Sequence, residues 1–264
     1  MPFWGYSFVF DGVPSETYNL YLNQVDASGT SSGTGASSVE LIKQEVFRRS
    51  KQFLLGVRQT PVLEFDLSFN SPDELNAMDA EMAQAWLFGH ATYKKLQIMQ
   101  PDLQDMYFNC ILSSPQVFKS GNMIKGFSCR VICDSPFGWA FPKVSTYTYT
   151  SSQNNLALLF MNLSNDNYYL FPTVQITMNS FGGSFSITNT SDGSRIFGFT
   201  ALSPNEIITV NNDLGIVTSS TGFKRLANFN KNWLRFKKGA NSLLINGQAA
   251  SLRLTYSFAK KIGG

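Results

Sequence analysis

A two-residue hydrophobic period returns throughout this chain and restricts it to one kind of architecture. Leu63, Phe65, Leu67 and Phe69 alternate with Glu64, Asp66 and Ser68. Val174, Ile176 and Met178 alternate with Thr173, Gln175 and Thr177, and Leu252, Leu254, Tyr256 and Phe258 with Ser251, Arg253, Thr255 and Ser257. Successive side chains of a strand point to opposite faces, so the pattern predicts antiparallel sheets with one face in a core and the other in solvent. Further strands are expected at Lys95–Met99, Tyr107–Leu112, Gly126–Cys133, around Phe185 and Ile187, at Ile196–Leu202 and at Glu206–Val210. The expected class is all-β.

A helical spacing stands out once. Ser71 offers an N-cap, Pro72 suits the first helical position and Glu74 completes a capping box. Leu75, Met78, Met82 and Trp86 follow three or four residues apart, and Gly89 is placed to end the run. These residues predict one substantial helix over about Pro72–Phe88, packing its apolar stripe on a sheet.

Composition agrees. Charged residues are only 15% of the chain, and Ser, Thr, Asn and Gly take their place, as in strands joined by polar turns. Twenty-three phenylalanines supply flat rings that pack well on pleated surfaces. A net charge of +3 is too weak for a nucleic-acid binder. The basic residues at Arg48, Arg49 and Lys51, and at Lys237 and Lys238, read as solvated turns. No apolar run nears the roughly 20 residues of a membrane helix. Met1-Pro2-Phe3-Trp4-Gly5 lacks the basic start and apolar core of a secretion signal, so synthesis and residence in a cytoplasm are expected.

The chemistry-bearing residues are sparse. His90 is the one histidine, just past the helix end, and is expected to cap carbonyls or face solvent. Cys129 and Cys133 share a strand face roughly 13 Å apart and cannot bridge each other. Cys110 could pair with either across strands, though buried free thiols are the expected state. No Cys-x-x-Cys, phosphate loop, Gly-x-Ser-x-Gly elbow or histidine pair occurs. Catalytic, cofactor and metal residues are therefore expected to be absent. The acceptor patterns at Asn162-Leu163-Ser164 and Asn189-Thr190-Ser191 carry no meaning without secretion. A carbohydrate-binding sandwich is the alternative, with Trp233 or Tyr168 and Tyr169 as stacking candidates.

The polar stretch after Gly138 suggests a boundary between 138 and 155, dividing the chain into 1–140 and 141–264. The first segment, residues 6–57, reads as short strands with an insertion. Its tract Ala27–Ser38 holds no apolar anchor and is expected to be mobile in isolation, either as a solvent-exposed hairpin loop or as an arm that orders against a neighbouring subunit. The second half reads as an antiparallel β-sandwich.

The order of features resembles the distal tail proteins of long-tailed (siphovirus) bacteriophages. Phe8-Val9-Phe10-Asp11-Gly12-Val13-Pro14-Ser15 opens the chain, and Tyr18-Asn19-Leu20-Tyr21-Leu22 follows. The strand at Leu63, the helix ending in Trp86-Leu87 and the strand pair around Tyr107 and Phe127 lead to Cys133-Asp134-Ser135-Pro136-Phe137. In the second half, Glu206-Ile207-Ile208-Thr209-Val210-Asn211 and Lys238-Gly239-Ala240-Asn241 are similar to a strand and a turn of that family's galectin-like domain. Residue 211 departs by being Asn where the family often has Asp.

The resemblance implies an N-terminal ring-forming β-barrel or sandwich followed by a galectin-like antiparallel sandwich. It implies a non-enzymatic virion protein at the tail tip, or baseplate, assembled in the host cytoplasm as a hexameric ring. Implied partners are further copies of itself, the tail tube protein, the tail hub protein, the tape measure protein and receptor-binding proteins. Viral DNA would cross the lumen in transit, and no membrane would be involved. A tail tube subunit is the second alternative; it would stack into long polymers and lack the second domain.

Overall fold

The computed structural model describes residues 6–23, 39–45, 52–59 and 62–262. The tract Ala27–Ser38 and the basic residues Arg48, Arg49 and Lys51 lie outside the described residues. Two compact units are present: Met1–Ala140 with Lys260–Gly264, and Phe141–Ala259.

In the first unit the strands are β1 (Ser7–Phe10), β2 (Val13–Pro14), β3 (Tyr21–Asn23), β4 (Val39–Glu45), β5 (Gln52–Gln59), β6 (Glu64–Leu75), β7 (Lys94–Met99), β8 (Met106–Ser120), β9 (Met123–Cys133) and β10 (Gly138–Ala140). Helix α1 (Ala77–Phe88) lies between β6 and β7. The main sheet runs β2-β1-β7-β8-β9-β6-β3, with β10 also beside β8, while β4 and β5 form a two-stranded sheet of their own. Every pairing is antiparallel.

The barrel alternative is corrected: among the described residues the main sheet does not close. Strand β3 at one edge approaches the start of β1, next to the other edge, where Leu22 N–H donates to the Tyr6 carbonyl at 2.9 Å, without a ladder between the two strands. The alternation holds as expected. Leu63, Phe65, Leu67 and Phe69 are buried with Phe127, Cys129, Val131 and Cys133 in one core. All three cysteines are buried free thiols.

The helix begins later than the sequence implies. Ser71 to Leu75 continue β6, and Leu75 pairs with Ile124 across a register shift where Pro72 is tolerated. Strand pairing with β9 overrides the local capping-box signal. Asn76 is the actual N-cap, its Oδ1 accepting from the Asp79 N–H at 2.8 Å. The packed face differs too. Met78 and Met82 are exposed, and Ala80, Ala83, Trp86 and Leu87 are buried. Small alanines let the helix approach its neighbours closely. Gly89 ends the helix as expected, its N–H bonded to the Ala85 carbonyl; a Cβ there would stand 2.4 Å from that oxygen.

The second unit contains β11 (Lys143–Thr148), β12 (Gln153–Asn162), β13 (Thr173–Met178), β14 (Gly183–Asn189), β15 (Arg195–Leu202), β16 (Ile207–Asn211), β17 (Ile216–Ser219), β18 (Gly239–Gly247) and β19 (Ala249–Tyr256). Sheet β11-β19-β13-β16-β17 faces sheet β12-β18-β14-β15. Val174, Ile176, Ile208, Val210, Leu252 and Leu254 from one and Phe185, Ile187, Phe197, Leu243 and Ile245 from the other fill the core. Phe160 of β12 meets Tyr256 of β19 edge to face at 4.9 Å, so this unit is an antiparallel sandwich.

Candidate assembly surfaces

Asp11 and Gly12 both take positive φ, at 51° and 81°, which suits a two-residue hairpin turn between β1 and β2. The turn aims Phe8 and Phe10 into the core against Trp86, with ring centroids 5.8 and 6.0 Å away. Tyr18 stacks on the same indole at 4.7 Å. The N-terminal motif thus anchors the helix. At the far end of the unit, the Asp134 carboxylate accepts from Asn109 Nδ2 at 3.0 Å. The Ser135 hydroxyl lies 2.8 Å from both Asp134 Oδ1 and the Phe137 carbonyl and shares its proton between them. Cys133-Asp134-Ser135-Pro136-Phe137 is therefore a hydrogen-bonded corner that turns the chain from β9 into β10.

In the second unit a segment without regular structure, residues 228–238, is held by buried asparagines. Asn241 is fully buried; its Nδ2 donates to the Lys237 and Gly239 carbonyls, and its Oδ1 accepts from Lys237 N–H and Asn189 Nδ2. Asn212 donates to the Pro172 carbonyl and accepts from Leu234 N–H. Asn211 Oδ1 accepts from the N–H groups of Asp213 and Leu214, a turn that Asp would make equally well. That is why the departure at residue 211 leaves the fold intact.

Glu206 is the most deeply buried charge among the described residues, with its side chain wholly enclosed. Arg225 clamps it through two bonds of 2.7 Å, Ser203 N–H donates at 2.7 Å, and the Ser219 hydroxyl donates as well. Burial alone pushes the carboxyl upward most strongly. The hydrogen bonds from Arg225, Ser219 and Ser203, with the guanidinium charge, outweigh it and hold the pKa at about 2. This is a structural clasp, since every partner belongs to the protein.

The remaining candidates are occupied by packing. Trp233 meets Phe229 edge to face at 4.8 Å, and Tyr169 lies under the Arg235 guanidinium at 4.2 Å. Tyr168 is half exposed beside Phe171. Lys237 and Lys238 reach the Ser191 and Asn165 carbonyls at 2.9 Å. His90 is half-buried with its ring 5.6 Å from that of Phe10. Among the described residues, no cluster of His, Cys, Asp or Glu could hold a metal, and no helix is long and apolar enough to cross a membrane. An open groove of about 410 Å³ lies along β14 and β15, lined by Ser184, Ser186, Ile196, Gly198, Thr200 and Asn228. The rings beneath it, Phe199 and Phe229, are buried and offer no stacking face.

The sheet formed by β4 and β5 differs from all of these. Leu41, Ile42, Phe53, Leu54 and Leu55 are 48, 47, 39, 60 and 63% exposed. Leu41 faces Val57 across the ladder and Ile42 faces Gly56, so the apolar residues occupy both faces of a two-stranded ribbon. The sequence shows the raw signal, since Leu41-Ile42 and Phe53-Leu54-Leu55 are apolar runs without clean alternation. It does not show that, among the described residues, no third strand covers them.

Two family models together span nearly the whole chain. A phage tail protein N-terminal domain matches residues 3–135, and a phage tail C-terminal domain matches residues 137–256. No curated protein sequence matches closely enough to count as a relative. Among solved structures, the SPP1 Dit protein, described as a paradigm of the hub adsorption apparatus in phages infecting Gram-positive hosts, superposes with a TM-score of 0.72 at 12% identity, covering 96% of this chain and 99% of its own. A chain of the phage P2 baseplate, in its activated conformation with calcium, gives 0.56 at 9% identity over 96% and 97%. The strontium form gives 0.55 at 10% identity over 95% and 97%.

Proposed function

Because this chain belongs to the phage tail protein family and has the fold of a distal tail protein, we propose that it is a structural ring protein of the tail tip. Phage tail proteins are virion components. In this reading six copies form a closed ring in the host cytoplasm, between the tail tube protein and the hub, beneath the tape measure protein. The lumen passes DNA, and the C-terminal sandwiches, residues 141–259, anchor receptor-binding proteins. The work is done by shape and symmetry, with no chemical step and no cofactor.

The β4–β5 ribbon is the observation that carries the reading. A lone two-stranded hairpin is marginal in water, and apolar side chains on both faces make it more so. In a head-to-tail ring every subunit offers the same ribbon to the same surface of its neighbour, and closure leaves none uncovered. A free sugar-binding module has no such need. Negative-stain images of the purified protein test the proposal: discrete six-fold rings support it, and long stacked tubes would assign the chain to the tail tube instead.

A further inference from the structure

Two of the three thiols are opposite each other. Cys110 of β8 and Cys133 of β9 are directly paired across the ladder, and both are fully buried. The hydrogen bonds around them fix the type of pair. Asp134 N–H donates to the Asn109 carbonyl at 2.9 Å, one step outside the pair, and Cys133 N–H turns away to the Leu63 carbonyl at 2.9 Å. In an antiparallel ladder this marks a non-hydrogen-bonded pair, whose Cα atoms lie about 4.5 Å apart with side chains on one face. That spacing falls inside the range of about 4.4–6.8 Å that disulfides span. Cys129 has no such partner, facing Leu67 on β6 and standing opposite a register shift in β8.

We propose that Cys110 and Cys133 form a latent cross-strand staple, free as synthesised and closed by a small peroxide acting on the folded protein. One thiolate attacks a peroxide oxygen, giving a sulfenic acid and hydroxide. The second sulfur then attacks the first and expels the oxygen as water. In net terms two thiols and one hydrogen peroxide give one disulfide and two waters; the sulfurs lose two electrons and the peroxide gains them. Burial pushes both thiols up, and each one's charge is further disfavoured by its neighbours, Cys133 beside Cys110 and Asp134 beside Cys133. The reaction is accordingly slow at neutral pH and speeds up as pH rises. The bond ties β8 to β9, two strands of the main sheet, and on the tail-tip reading it closes once the particle leaves a reducing cell.

The test treats the folded chain with dilute hydrogen peroxide, then denatures, alkylates and maps it by mass spectrometry. The expected product has lost two hydrogens, links the Cys110 and Cys133 peptides and carries an alkyl group on Cys129. Its denaturation midpoint lies above that of the reduced protein, and the reductant-treated control reverses both changes. Cys129→Ala retains the link, whereas Cys110→Ala does not; if Cys110→Ala fails to fold, the Cys129→Ala map decides. A bond involving Cys129, an oxygen adduct on Cys110 or Cys133 without a link, or three alkylatable thiols after treatment would each overturn the proposal. None of these outcomes depends on whether the chain forms a ring.

Discussion

The indole N–H of Trp86 donates to the carbonyl oxygen of Phe10 at 3.1 Å, joining the last turn of α1 to the hairpin strand β1 across 76 residues. The bond is buried, and the same ring packs against Phe8, Phe10 and Tyr18. One side chain thus fixes the helix to the first strand, which lies between β2 and β7 in the main sheet.

Replacing Trp86 with Ala removes that ring and the hydrogen bond it donates to the Phe10 carbonyl. The expected cost is about 3–5 kcal/mol, read as a lower denaturant midpoint. Trp86→Phe keeps most of the packing and loses the bond, so it is expected to cost only about 1–3 kcal/mol. A Trp86→Phe variant as stable as the unaltered chain would remove the hydrogen bond from the account.

The Glu206–Arg225 clasp makes stability depend on acid. The folded carboxyl holds its proton off until about 2, while an unfolded glutamate takes one near 4.5. Between those values the unfolded state binds more protons, so stability is full above about pH 4.5 and falls as pH drops toward 2. Glu206→Gln is expected to flatten that part of the profile, and to cost about 3–5 kcal/mol at neutral pH by stranding the guanidinium. Urea unfolding at stepped pH measures both effects.

Two asparagines in related motifs should respond unequally to the same change. Asn211→Asp retains the acceptor oxygen that receives the Asp213 and Leu214 N–H groups, and is expected to alter stability by less than about 0.5 kcal/mol. Asn241→Asp removes the two donors that serve the Lys237 and Gly239 carbonyls and sets a charge against them. A loss of about 2–4 kcal/mol is expected there. Thermal melts of the two variants side by side give the comparison.

Strand faces were legible because a period of two survives any detail of pairing: Leu63 to Phe69 and Leu252 to Leu254 are buried as the alternation requires. The helix start was not legible. Ser71-Pro72 with Glu74 fits a capping box locally, but β9 continues to pair as far as Leu75, and only tertiary structure reveals that competitor. The helix face was misread because Met78 and Met82 outweigh alanines on any hydrophobicity scale, whereas close packing selects Ala80 and Ala83. Glu206 and Arg225 stand 19 residues apart with nothing in between to couple them, so their clasp could not be read from the sequence. The exposed ribbon was hidden for a similar reason: its residues look like ordinary core strands until the main sheet is seen to form without them.

Light scattering on the purified protein, with Leu54→Ser/Leu55→Ser beside the unaltered chain, tests the ring account most directly. Both side chains are exposed in the isolated subunit, so the double variant should keep its fold and its circular dichroism spectrum. The account predicts a mass of six chains for the unaltered protein and of one chain for the variant. A single-chain mass for the unaltered protein across all workable concentrations, or an unchanged six-chain mass for the variant, would contradict it.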